Sequence, residues 1–357
     1  MIATETQHLL FDSARLERLL GNAVVDAGAT MAAGLVVLGS RLGLYAALDD
    51  GPLTTAELAE RTGTAERYVR EWARAQAAGG YLTYHADSDR FGLSPEQSLV
   101  FDPEGPVNAA AMFELSVNVL SGLDRLENGM RTGAGRGWHD QSDDVVCGTA
   151  GFYAAGYRTY LLTDWIPALD GVSERLRAGA RVADVGCGHG VTTVLLAKSF
   201  PASTFHGFNY HAASIARARD AADDAGVADR VTFETRDAAD IPALGYDLVC
   251  TFDALHDYGD PFAAARRVRE SLVPGGSWMI VEPRTGDSVT DNLNPVGRMF
   301  YSGSTYMCVP NALDQGGSAL GAQAGEAALR ELLTAAGFGD VRVAAKTQFN
   351  MVLQARP

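Results

Sequence analysis

Arg181-Val182-Ala183-Asp184-Val185-Gly186-Cys187-Gly188-His189-Gly190 closes an apolar run on three glycines, and Val191-Thr192-Thr193-Val194-Leu195-Leu196-Ala197-Lys198 then takes up a helical apolar spacing. The pattern predicts a strand, a tight glycine turn and a helix. Glycine serves where the chain needs positive φ or where a Cβ would block a ligand. The helix start that follows offers unpaired N–H groups and a positive dipole end to an anion. A dinucleotide fingerprint would place its third glycine three residues after the second. Val191 holds that position here and the third glycine is Gly190. The expected anion is therefore a carboxylate rather than a pyrophosphate, and a nicotinamide enzyme is disfavoured.

The 357-residue chain has room for two domains, and its 47% hydrophobic and 20% charged residues are an ordinary globular make-up. A net charge of −15 argues against nucleic acid or an anionic membrane as the main partner, because phosphate binding needs clustered Lys and Arg. Met1-Ile2-Ala3-Thr4-Glu5 lacks the basic and apolar regions of a signal peptide. The weakly polar run from Ala27 to Ser40 reads as too short to span a bilayer. Four widely spaced cysteines (147, 187, 250 and 308) without a CxxC pair suit reduced thiols, not a disulfide frame or a zinc site, so no metal is expected and a cytoplasmic location is.

Residues 8 to 48 carry Leu9, Leu10, Leu16, Leu19, Leu20, Val24 and Val25, then Met31, Leu35, Val36, Leu38 and Leu42, which is too apolar for an isolated surface helix. A homodimer seam is the expectation. Thr54 three residues before Glu57 is a capping-box signature, and the helix it opens stops at Gly63. A second helix runs to Gly79, and Tyr81-Leu82-Thr83-Tyr84 and Phe91-Gly92-Leu93 flank a polar turn, spelling a winged helix-turn-helix. Residues 31–100 hold six arginines and no lysine against nine carboxylates, which argues against DNA. Residues 106–175 read as a helical linker and substrate cap between a domain at 1–105 and another at 176–357. Phe152 and Trp165 read as core, while Tyr153, Tyr157 and Tyr160 have polar ends that could face a pocket.

Beyond residue 176 strands and helices alternate, predicting a doubly wound sheet with ligands at the carboxyl ends of its strands. Asp184 with the glycines makes Asp-x-Gly-x-Gly-x-Gly, which resembles motif I of the class I S-adenosylmethionine (SAM) dependent methyltransferases. That resemblance implies a Rossmann-like seven-stranded sheet, with SAM as cofactor and S-adenosylhomocysteine as product. It also implies that Gly186, Gly188 and Gly190 pass beneath the amino-acid end of SAM, and that Asp184 helps place the turn or bind the methionyl amine. Asn209 stands where the family has an acidic residue on the ribose, Tyr210 follows it, and Arg236-Asp237-Ala238 matches the adenine contact. Thr251-Phe252-Asp253-Ala254-Leu255-His256-Asp257 is similar to a stretch of small-molecule O-methyltransferases, in some of which the histidine is the general base. The whole is similar to a mycobacterial winged-helix methyltransferase group, and Arg298 joins the tyrosines as an implied pocket residue.

Methyl transfer needs a nucleophile held about 3–3.5 Å from the methyl and, for a hydroxyl or amine, removal of a proton. Histidine suits the second task near neutral pH. His256 is the expected base, with Asp257 and Glu282 in reserve; the alternative is a histidine that orders its loop. The expected activity is methylation of a small-molecule acceptor of specialised metabolism. Asn209 keeps open a protein of this fold that does not methylate (a pericyclase, a hydroxylase-like enzyme or a ligand-binding protein), and the winged helix keeps open a SAM-sensing regulator.

Overall fold

A computed structural model describes residues 12–357. Leu9 and Leu10 of the expected seam lie outside the described residues. The chain divides into two compact units at Val117/Asn118.

The first unit opens with α1, Ser13–Arg41, capped by the Asp12 carboxylate, which accepts from the Arg15 amide. Its 29 residues make it, by length and composition, long and apolar enough to cross a membrane, alone in this among the described residues. The reading of Ala27–Ser40 as too short is corrected: Asp26 interrupts the apolar sequence without interrupting the helix. Leu19, Leu20, Val24, Val25 and Met31 are exposed, whereas Ala33, Val36, Val37 and Gly39 are buried. Helices α2 (Thr55–Thr62) and α3 (Glu66–Ala78) follow, α2 having the expected reciprocal Thr54–Glu57 capping box and an αL cap at Gly63. Strands β1 (Thr83–His85) and β2 (Arg90–Gly92) form the antiparallel wing. Then come α4 (Pro95–Phe101) and α5 (Ala109–Leu120). Val36, Leu48, Leu58, Val69, Trp72 and Phe91 share one core.

The second unit begins with α6 (Leu123–Thr132), α7 (Asp143–Tyr160) and α8 (Val172–Ala178). The alternation follows: β3 (Arg181–Val185), α9 (Val191–Ser199), β4 (Thr204–Asn209), α10 (Ala212–Asp224), β5 (Val231–Thr235), β6 (Tyr246–Phe252), α11 (Pro261–Ser271) and β7 (Leu272–Pro283). Two helices, α12 (Pro295–Gly303) and α13 (Val309–Asp314), are joined by one π-helical turn, and α14 (Gly325–Ala335), β8 (Asp340–Lys346) and β9 (Asn350–Arg356) complete the chain. The sheet order is β5-β4-β3-β6-β7-β9-β8. Pairs from β5 through β7 are parallel, and β9 runs antiparallel between β7 and β8. Both faces are covered, by a layer around Trp165, Leu176, Leu196 and Ile215 and by one around Trp278, Leu329, Leu333 and Phe338. That explains the continuous apolar runs of these strands. The carboxyl ends of β3, β4, β6 and β7 place Asp184, Asn209, Asp253 and Glu282 along one rim.

Gly39 marks where α1 meets α3. A Cβ there would lie 2.7 Å from the rings of Trp72 and Tyr45, both in the core. Replacing a helical glycine gains about 1 kcal/mol of propensity, but overpacking costs about 1–3 kcal/mol, and the added branches of valine push the balance toward loss. Gly39→Val is expected to lower the melting temperature of the protein, read by circular dichroism; an unchanged or raised temperature would show that the rings yield.

Candidate active site

The strand–turn–helix read from the sequence is present. Gly186, Gly188 and Gly190 have φ of 83°, 52° and 78°, and a Cβ at Gly186 would approach the Ala254 methyl to 2.8 Å. Asp184 is buried, and its Oδ2 accepts from the hydroxyls of Thr192 (2.7 Å) and Thr193 (2.6 Å) on the first turn of α9. Its Oδ1 has no hydrogen-bond partner. Burial pushes the carboxyl up to about 6, with the two hydroxyls opposing.

At the end of β4, the Asn209 Oδ1 accepts from the His211 amide at 2.8 Å, closing a local turn before α10. The Tyr210 hydroxyl accepts from the Trp138 amide (3.0 Å) and donates to Asn311 Oδ1 (2.5 Å). The His139 ring packs against both Tyr210 and His211, with centroids 5.1 and 5.0 Å away. Asp237 is exposed after β5; one of its oxygens accepts from the Ala239 amide and caps the short turn that starts at Ala238.

After β6 the rim carries a buried acidic cluster. Phe252 is buried, and Asp253 follows it with a φ of 47°, in the sparse left-handed region. Asp253 is held there by the Tyr157 hydroxyl (2.9 Å) and the Asn350 side-chain amide (2.9 and 3.2 Å). The His256 Nδ1 lies 2.5 Å from Glu282 Oε2, and the other Glu282 oxygen accepts from the Leu255 amide at 2.9 Å. The His256 Nε2 faces Asp257 Oδ1 at 3.4 Å. Burial draws His256 toward its neutral form, but Glu282, Cys308 and Asp257 outweigh it and hold the ring well above the usual imidazole pKa. Burial raises the carboxyl groups of Asp253 and Asp257, Glu282 adding to both, and His256 opposes.

Tyr157 reaches this cluster directly, and Tyr153 lies parallel to it with centroids 5.9 Å apart, close enough for Asp253, Cys308, Asp257 and Glu282 to act on its hydroxyl. Tyr160 instead stacks on the fully buried Trp165, and Arg298 is exposed on α12. Asn311, whose side-chain amide donates to the Asp257 carbonyl, Asn350 and Cys308 were not singled out in the sequence, and no local spacing marks them. A surface cavity of about 210 Å³ lined by Arg125, Arg136, Asp140, Tyr306 and Pro310 includes none of the candidate residues.

Residues 176–337 match the methyltransferase domain family and residues 29–102 the Rv2258c-like winged HTH domain. The chain carries a methyltransferase domain after a winged-helix module. It is 35% identical over 103 residues to 27-O-demethylrifamycin SV methyltransferase of Amycolatopsis mediterranei, an alignment that spans 28% of this chain and only 38% of that relative. Mitomycin biosynthesis 6-O-methyltransferase of Streptomyces lavendulae is 24% identical over 68% of this chain and 71% of its own length. The fold is also that of human N-acetylserotonin methyltransferase, solved in complex with SAM (TM-score 0.68, 17% identity, 100% and 99% of the two chains covered). An O-methyltransferase family protein from Burkholderia thailandensis is similar to the same degree (TM-score 0.68, 17%, 97% and 98%).

Asp184 gives the methyltransferase domain a pH signature. Between an ordinary carboxyl pKa near 3.8 and about 6 the folded form keeps a proton that the unfolded chain has lost, so stability falls as pH rises through that window and levels off above it. The loss is on the order of 3 kcal/mol at about 1.4 kcal/mol per unit. Asp184→Asn keeps an acceptor for both threonines and removes the charge. Its unliganded melting temperature is expected to decline less between pH 4 and pH 7 than that of the wild type; parallel curves would refute the assignment.

Proposed function

We propose that this chain transfers the methyl group of SAM to a hydroxyl of a small-molecule acceptor. The observation that carries the proposal is the buried Asp184, with one oxygen on the α9 threonines and one unpartnered, beneath three glycines that hold positive φ. The relatives' names support the oxygen acceptor. The residues fit the cofactor: the glycine turn and the α9 amides suit its carboxylate, and Asp184 suits its ammonium group or fixes the turn. Asn209, Tyr210, Asp237, Ala238, Phe252 and Asp253 surround the adenosine in this reading, Asn209 through its amide because its carbonyl already serves His211. SAM, once bound, supplies an electrophilic methyl on a sulfonium. The chain's own part is to hold the acceptor and receive its proton, which we assign to the cluster of His256, Asp257 and Glu282, with Tyr153 and Tyr157 beside it.

We also propose that the exposed apolar face of α1 pairs with a second copy of this chain, that nucleic acid and membrane are not partners, and that the protein works in the cytoplasm. Four free thiols support the location, and the net charge supports the absence of polyanionic partners.

Calorimetry is expected to give tight binding of SAM and S-adenosylhomocysteine and none of comparable strength for NAD. A preference for NAD would overturn the reading of the glycine turn. His256→Ala is expected to lower kcat by about 10²–10⁴-fold with SAM affinity nearly intact, because proton removal belongs to the transition state; a matching loss of SAM affinity would make His256 an ordering residue instead. For assembly, light scattering should report a dimer that Val24→Glu splits, and a full-length monomer would dismiss the seam.

A further inference from the structure

We propose that His256, Asp257 and Cys308 form a binding site for a divalent transition metal, with zinc the best chemical match. One ligand atom from each of these buried residues lies within 4.8 Å of the other two. Tetrahedral zinc with nitrogen and oxygen ligands at about 2.0–2.2 Å sets those atoms roughly 3.4 Å apart. His256 Nε2 and Asp257 Oδ1 are already 3.4 Å apart, so the Cys308 sulfur needs to close by at most roughly 1.3 Å, a side-chain rotation.

Two further observations point to a ligand. Asp257 Oδ1 is buried and makes no hydrogen bond, and the His256 Nε2 faces it at 3.4 Å, so two potential ligand atoms stand side by side with neither committed to a hydrogen bond with the other. The Nδ1 of His256 is engaged by Glu282 Oε2 at 2.5 Å. With Nδ1–H donating to that carboxylate, Nε2 can coordinate once its own proton has left, which is the carboxylate–histidine–metal arrangement that orients metal-bound imidazoles. Mixed imidazole, carboxylate and thiolate ligation suits zinc better than magnesium or calcium. The absence of a CxxC pair suggested no such site in the sequence because the ligands come from two places, the turn after β6 and the π-helical turn before α13.

Three protein ligands leave a fourth tetrahedral position, the pattern of catalytic rather than structural zinc. Binding displaces the Cys308 S–H proton to solvent, and the Nε2 proton as well if the ring is charged, so metal binding releases one or two protons and strengthens as pH rises. An acceptor hydroxyl at the fourth position would lose its proton far more readily than in water. Metal binding needs only these three side chains and leaves the glycine turn to SAM, but a metal on His256 and Asp257 would take over the part in receiving the acceptor's proton that the function proposed above gives them.

Cobalt(II) is the probe. Full-length protein stripped by a chelator and desalted is expected to bind one equivalent, with a near-ultraviolet thiolate-to-cobalt band and visible absorption of tetrahedral intensity. Cys308→Ser should abolish the thiolate band, while Cys147→Ser, at the exposed thiol, should leave it unchanged. Glu282→Gln should weaken binding by about 10–100-fold, as loss of an outer carboxylate does. Folding of each variant is checked by its melt and by S-adenosylhomocysteine calorimetry, which also separates this proposal from the function proposed above. A folded wild type with no thiolate band at stoichiometric cobalt, or a band that follows Cys147, overturns the site.

Discussion

One carboxylate governs the geometry of the methyltransferase domain. Asp184 sits at the end of the central strand β3 with its neighbours β4 and β6 on either side, and the hydroxyls of Thr192 and Thr193 tie it to the first turn of α9. Because a buried carboxylate must be satisfied, strand end and helix start are locked together, and the glycine turn between them has little freedom left. Its position relative to β4 is fixed a second time, by the Gly186 and Cys187 amides, which both donate to the Phe208 carbonyl. On β4 itself Gly207 leaves room for the ring of Phe233, its register partner on β5, which a Cβ would strike.

Local features of this kind were legible. The glycine turn, the capping box at Thr54 and the alternation of strands and helices depend on spacing within a few residues, and the structure reproduces each of them. Trp165 is buried as read, whereas Phe152, read as core with it, is only half-buried. What was not legible depends on residues far apart in the chain. Asn350 restrains Asp253 across 97 positions and Asn311 reaches Asp257 across 54, and neither bears a pattern. The electrostatics of His256 were hidden for the same reason: its ordinary pKa was the only one a sequence offers, whereas Glu282 meets it from the next strand of the sheet. Likewise Tyr153, Tyr157 and Tyr160 share one helical stretch and Trp165 packs against both of the last two, so nothing local shows that it is the Tyr157 hydroxyl that reaches Asp253.

The acidic cluster after β6 is held by neutral donors and by one ring. Tyr157, Asn350 and the Leu255 amide contribute hydrogen bonds without charge. Such donors orient the carboxylates while leaving most of their negative potential in place, in a region of low effective dielectric. A cationic group entering this rim therefore meets oriented acceptors that need little rearrangement.

The Tyr210 hydroxyl, which takes the Trp138 amide on one side and gives to Asn311 on the other, has an implication for how such proteins diversify. Its bond to residue 138 is to main chain, but the His139 ring also packs against Tyr210, so the 133–140 segment is held by a side chain as well as by a peptide group. Gly135 and Gly137 lie so close to Asp314 that a Cβ at either would collide with it. Substitution in this segment is therefore confined to changes that keep its two closely approached glycines small.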